Sequence, residues 1–127
     1  MNKLKATVTK IETLTPLNIV SFDVVGQTVS MMSLDLDEAI KVGSKVELTV
    51  KPSHITIAKS FTGVISCANQ LKAEVKTVDN GQLLTTLGLE MSDCVVEAMI
   101  TAQSSKDMAL KVGDEVKALI NASELSI

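Results

Sequence analysis

"KVGSKVELTVKPSHITI" at 41–57 returns as "KVGDEVKALINASELSI" at 111–127. Each copy opens on Lys-Val-Gly, runs through an alternating apolar stretch, and turns at a small residue followed by serine. Duplication on this scale sets the architecture and outweighs the reading of any single segment. Working outward, "NKLKATVTKIETL" (2–14) aligns with "NQLKAEVKTVDNG" (69–81) at an offset of 67, whereas the endings align at 70. The second copy therefore carries a three-residue insertion, expected between the segments 19–31 and 83–101.

Within the first copy, Leu4, Ala6, Val8 and Lys10 alternate with Lys5, Thr7 and Thr9, the period of a strand with one wet face. "TLTPLN" supplies a proline and an asparagine for a turn. "IVSFDVV" and "TVSMMS" read as second and third strands joined by a short turn at Gly26–Gln27. "LDLDEAIKVG" (34–43) changes idiom: Asp35 is placed to cap a helical turn that Gly43 stops. In "SSKDMALKVG" (104–113) the cap is Ser104 or Ser105 and the stop is Gly113. "KVELTV" and "EVKALI" follow as strands, and "HITIA" and "ELSI" as last short strands. The pattern predicts an all-β chain of two tandem small OB-like β-barrels, each of about five strands with one short helical turn. The modules are expected at 1–60 and 61–127, with a linker near 58–66.

At 127 residues the chain suits one ordinary domain or two very small ones. Modules of about 60 residues bury little surface alone, so mutual packing or an oligomer is expected. Hydrophobic residues make up 46% of the chain, yet Trp and Tyr are absent and Phe occurs twice, so the core must be aliphatic. A net charge of −3 with no basic block argues against nucleic-acid binding, which needs a concentrated positive surface and often aromatic stacking. Cys67 and Cys94 have no neighbouring histidine and no metal-like spacing, and are expected to be free thiols. "MNKLKATVTKIE" lacks the apolar core of a signal peptide and no apolar run spans a bilayer, so a cytoplasmic protein without membrane contact is expected. No Ser/His/Asp ordering, phosphate-binding glycine loop or paired carboxylates point to an enzyme.

"ISCANQLKAEV", "AMIT" and "ALKVGDEVKALINAS" in the second copy, with "IKVGSKVELTVKPSHITI" in the first, resemble tandem molybdate/tungstate-binding Mop modules, also called TOBE domains. The resemblance implies binding of a tetrahedral oxyanion at interfaces between modules, in assemblies of six modules, hence a trimer of a two-module chain. It implies molybdate or tungstate as the bound ligand and no organic cofactor. Backbone amides and hydroxyls suit such a dianion because they donate hydrogen bonds, and one lysine per site offsets its charge.

On this resemblance Lys51 matches the family's lysine, Ser53 offers a hydroxyl and an amide, and Pro52 offers no amide between them. Asn121, Ala122 and Ser123 form the sister motif, with Asn121 where lysine is expected. Ser66, Cys67, Ala68 and Asn69 match the family's S-x-x-N segment, with Ala68 in place of an arginine. Asn2 matches Asn69 without a preceding serine. Thr101 matches a threonine that reaches the oxyanion from the adjoining strand, and Met31 is its expected counterpart. His54, the single histidine, follows the lysine–serine motif and is expected to tune an adjacent anion site near neutral pH. The expected role is cytoplasmic storage or buffering of the oxyanion. The alternatives are a ligand-free assembly module and the sensing domain of a larger regulator or transporter.

Overall fold

The computed structural model describes residues 1–127, nearly all of them in or between short antiparallel strands. The first repeat forms β1 (Asn2–Leu14), β2 (Leu17–Val24), β3 (Gln27–Ser33) and β4 (Lys45–Val50). After β5 (Thr56–Ala58), the second forms β6 (Asn69–Asn80), β7 (Leu84–Met91), β8 (Cys94–Thr101), α1 (Ala102–Asp107) and β9 (Glu115–Ile120). The sheet orders are β3-β2-β1-β4 and β5-β9-β6-β7-β8. Residues 59–68 between the repeats carry no strand.

The alternation read from β1 holds through Val8 and then changes phase. Leu4, Ala6 and Val8 are buried, but Lys10 is exposed, because a bulge between Val8 and Lys10 shifts the register against β2. One extra residue in a strand flips every later side chain to the other face, and here Ile11 turns inward to pack on the core. The second repeat carries the same bulge between Val75 and Thr77, with Val78 packing inward. The β2–β3 turn falls one residue earlier than expected, at Val25–Gly26, whose φ values of 44° and 83° are the paired positive angles of a two-residue hairpin.

Two expectations about the helical segments need correction. In the first copy, residues 34–43 form no helix: Asp37 accepts from the amide of Ala39 at 2.8 Å and closes a turn with Ile40, while Asp35 sits beside Ser33. In the second copy the cap is Thr101, whose Oγ1 accepts from the Ser104 amide at 3.0 Å. Both copies do turn helically after their penultimate strand, in 3-10 turns at Pro52–His54 and Ala122–Glu124. The insertion is also displaced. β2–β3 and β7–β8 superpose at an offset of 67 along their whole registers, so the extra residues lie after Thr101, where α1 replaces the Asp37 turn. Leu34, not Met31, is consequently the counterpart of Thr101.

The closing segments cross over, and the strand expected at "ELSI" is reduced to a single bridge at Ser126. β5 leaves the first repeat and pairs with β9 of the second, Thr56 opposite Leu119, while Ser126 at the far end bridges Thr49 on β4. These two pairings are the same relationship read from either repeat. A single core of 25 buried residues runs through both halves. Its equivalent positions share volume unequally: Phe22, Met31 and Leu48 of the first repeat face the same places as Leu89, Ala98 and Ala118 of the second. Burial of this continuous apolar surface is what couples two modules that would each bury little surface on their own.

Candidate functional site

The two 3-10 turns form where strands run out at a polar residue with extended backbone. Lys51 (φ −71°, ψ 140°) precedes one and Asn121 (φ −67°, ψ 145°) the other, and each carbonyl accepts from the amide three residues on, His54 at 2.9 Å and Glu124 at 3.0 Å. Pro52 sits at the first position of its turn, where an amide would have no partner within the turn, so the missing N–H is harmless there.

The strand crossover brings these turns face to face. Lys51 and His54 from the first repeat and Ser123 and Glu124 from the second line one cleft of about 140 Å³, floored by Val50 and Leu125 and flanked by Met1. His54 Nδ1 lies 2.6 Å from Glu124 Oε2, with 38% and 36% of the two side chains exposed. These residues occupy equivalent positions of the repeats, so the pair straddles the pseudo-twofold axis. Lys51 is exposed and makes no salt bridge within the chain.

A second groove, of about 370 Å³, opens between the Pro52–His54 turn and the end of β8. Ser53, Thr101 and Ser104 supply its hydroxyls, among Ile55, Leu84, Met99 and Met108. The Thr101 hydroxyl donates to Ser104 Oγ at 2.8 Å while capping α1. Its pseudo-equivalent in the other half is larger, about 790 Å³, and chemically different: Met32, Leu34, Leu36, Leu125 and Ile127 line it with Asp35 and Asp37. Leu34 in place of Thr101 removes the hydroxyl, and the two carboxylates disfavour an anion.

The segment Ser66–Asn69 lies elsewhere. Ser66 and Ala68 are exposed, Cys67 is half-buried with Sγ 3.5 Å from the Asn69 carbonyl, and Gln70 Nε2 donates to the Cys67 carbonyl at 3.0 Å. Asn69 pairs with Ile120 in the ladder, so this segment runs toward the Asn121 turn, whereas Lys51 has Met1 as its neighbour. Asn69 is 1% exposed, and its side chain bonds the backbone of Ser30 on β3 at both its amide atoms. Of the residues singled out from sequence, the single chain thus gathers Lys51 with Ser123, and Ser53 with Thr101. Asn121 is exposed and Ala122 and Pro52 are half-buried at the starts of their turns. Sequence reasoning missed Glu124 and Ser104. Glu124 was findable as the residue at the offset of 70 from His54.

Both cysteines are free. Burial, and then the neighbouring Asp93, push the Cys94 thiol above its ordinary value, which leaves it a poor nucleophile. No cluster of three or more His, Cys, Asp or Glu is placed to hold a metal ion. No helix is long and apolar enough to cross a membrane.

These features define a class: a tandem all-β chain whose two repeats each send their closing segment to the other and present small polar clefts at the seam. Residues 65–127 match the family model of the TOBE domain. A molybdate binding protein from Sporomusa ovata is 32% identical to the chain, which covers 97% of that structure over 51% of its own length with a TM-score of 0.50. The chain belongs to the TOBE-domain family. Its whole length superposes on the cytoplasmic molybdate-binding protein ModG, in a form with molybdate bound, with a TM-score of 0.91 at 23% identity, covering 98% of this chain and 93% of that one. That likeness establishes the fold as tandem OB-like modules. The molybdate/tungstate import ATP-binding protein WtpC of Pyrococcus horikoshii is 28% identical over 111 residues, or 87% of this chain. The chain spans about a third of that relative's length, 32%.

Proposed function

We propose that this chain binds molybdate or tungstate at seams between its modules, without catalysing a reaction and without an organic cofactor. The observation that carries the reading is the meeting of the Lys51–Ser53 turn with the Asn121–Ser123 turn across the repeat boundary. Lys51, which makes no salt bridge within the chain, there shares one cleft with Ser123 of the other repeat. Charge-assisted hydrogen bonds from such donors contribute about 1.5–3 kcal/mol each. The molybdate-binding relatives of the same fold support the choice of ion.

Residues 1–60 and 61–127 act in this reading as the two binding modules. Lys51, Ser53, Thr101 and Ser123 supply side chains within one chain. Ser66, Ala68 and Asn121, exposed on the other flank, complete sites with a neighbouring chain, which is the role that a trimer of six modules gives them. The protein serves as a cytoplasmic store or buffer of the oxyanion. A sensing domain of a larger protein is the second reading, favoured by the match to a stretch of an import ATPase.

Isothermal titration with molybdate, tungstate and sulfate on protein of measured oligomeric mass tests the proposal. Micromolar or tighter binding of the first two and not of sulfate is expected, together with the mass of a trimer. Absence of heat with all three ions, and no change in melting temperature, would overturn it.

A further inference from the structure

The cleft on the pseudo-twofold axis carries a charge that an anion site does not need. Lys51 favours an anion, but Glu124 lines the same space of about 140 Å³, and a carboxylate beside a fully deprotonated oxyanion raises the cost of binding. Two features of the structure bear on how that cost is met. Glu124 Oε2 faces His54 Nδ1 at 2.6 Å, and both groups keep more than a third of their side-chain surface in contact with solvent, so protons exchange freely. The charged side chains that share the cleft with His54 are few: Lys51 at the start of its own turn and Glu124 opposite. β8, which packs on the same turn, has Glu97 as its single charged residue.

We infer that the His54–Glu124 pair selects the charge state in which this cleft accepts its oxyanion: a doubly charged ion enters together with a proton on His54. With the imidazole protonated, the pair is internally neutral and Lys51 sets the potential of the cleft. With the imidazole neutral, Glu124 cancels Lys51 and the dianion is refused. Because the ion enters with a proton, the cleft holds it more tightly as the solution becomes more acid and releases it as the solution becomes more alkaline. The repeats reach this arrangement by divergence at one pair of equivalent positions. A histidine in both places would repel itself when charged, and a glutamate in both would exclude anions altogether.

The inference rests on the oxyanion reading and is separable from it. Molybdate is titrated calorimetrically at pH 6.0 and at pH 8.5 into wild type, His54→Gln and Glu124→Gln, each at pH 7 also in two buffers of different ionisation enthalpy. Wild type is expected to bind at least tenfold more weakly at pH 8.5 and to take up protons on binding at pH 7. Glu124→Gln is expected to bind more tightly than wild type at pH 8.5 and still to take up protons through His54, and His54→Gln to bind weakly at both pH values without proton uptake. Binding by wild type that is equally tight at both pH values, or proton uptake that persists in His54→Gln, overturns this inference and leaves the oxyanion reading standing. Absence of binding by wild type at both pH values removes the oxyanion reading itself, and the inference with it.

Discussion

The Asn69 side chain closes a two-point clasp on the backbone of Ser30: Nδ2 donates to the carbonyl at 2.9 Å and Oδ1 accepts from the amide at 2.7 Å. Asn2 makes the same clasp on Glu97, donating at 2.7 Å and accepting at 2.8 Å. In each repeat the first residue of the long strand therefore holds the edge strand of the other repeat. Substituting Asn69→Ala leaves a donor and an acceptor of Ser30 without protein partners in a part-buried seam, a loss of about 1–2 kcal/mol. Asn69→Asp keeps the acceptor but sets a carboxylate against the Ser30 carbonyl, and is expected to cost at least as much. Urea unfolding of both variants against wild type checks the order.

The clasps are not reinforced equally. Gln27 adds two further bonds to the first seam, accepting from the Lys72 amide at 2.9 Å and donating to its carbonyl at 3.2 Å. Its counterpart at the second seam is Cys94, which cannot make that pair of bonds. The seam between β8 and β1 should therefore open before the seam between β3 and β6. Native-state hydrogen exchange is expected to show weaker protection at the Glu97 amide than at the Ser30 amide. Gln27→Ala should bring the two closer, at a cost of about 1 kcal/mol for bonds at an exposed edge.

Gly88 on β7 lies opposite Thr77, just after the β6 bulge, and a Cβ built at Gly88 collides with Thr77 Oγ1. The equivalent pair in the first repeat, Ser21 opposite Lys10, has a side chain on both strands. Gly88→Ala is expected to destabilise the protein by about 1–3 kcal/mol through this overlap. The double change Gly88→Ala with Thr77→Ala removes the colliding oxygen and should recover most of the loss. Thermal melts of the single and double variants decide it.

The fold was legible because strand period and duplication speak in residue types: Leu4, Ala6 and Val8 announce a face, and their echoes Leu71, Ala73 and Val75 announce a second module. What the pattern did not carry is partner choice. β5 and Ser126 read as closing strands of their own repeats, yet each crosses to the other, since period-2 alternation states which face is buried and nothing about which sheet a short strand joins. The helical turn at 34–43 failed because Asp37 satisfies the local amide with its own side chain, a choice open to any aspartate in such a segment. Around the repeat boundary, the motif singles out Lys51 and Ser123, which line one cleft, whereas Glu124 stands out only once the crossover sets it against His54. Met31 was matched to Thr101 because the insertion was placed before β8, and strand register corrects that to Leu34.

Lys59, just beyond β5, reaches Asp114 Oδ2 at 3.1 Å and donates to the Met108 and Ala109 carbonyls, both at 3.1 Å. The Lys111 amide, 2.9 Å from the same carboxyl, contributes most to holding Asp114 below the usual value of 3.8, and Lys59 adds to it. A carboxyl depressed in the folded state contributes stability that is complete above its unfolded value and is lost as pH falls through the folded one. The stability gap between wild type and Asp114→Asn should therefore be constant from pH 7 down to about pH 5 and shrink below about pH 4. Urea unfolding across that range checks the sign. A gap that widens in acid would mean that Asp114 is not stabilised in its charged form.

Asn121 has the backbone conformation of Lys51 at the equivalent position, and it lacks the charge. If lysine sets the potential at these turns, Lys51→Ala should abolish most of the rise in melting temperature that molybdate produces in wild type, since a ligand stabilises only the state that binds it. Asn121→Lys should act in the opposite sense. Its exposed side chain adds a cation beside Ser123 and at the end of the Ser66–Asn69 segment, so oxyanion affinity or stoichiometry per chain should increase. Because the added charge lies outside the core, unliganded stability should change by less than about 0.5 kcal/mol. Calorimetric titration gives both quantities. A gain in affinity with unchanged stoichiometry would place Asn121 at the rim of the Lys51 site, and a gain in stoichiometry would show that the second repeat lost its site through this one residue. Unchanged titrations in both Lys51→Ala and Asn121→Lys would mean that these turns shape the seam and do not hold the ion.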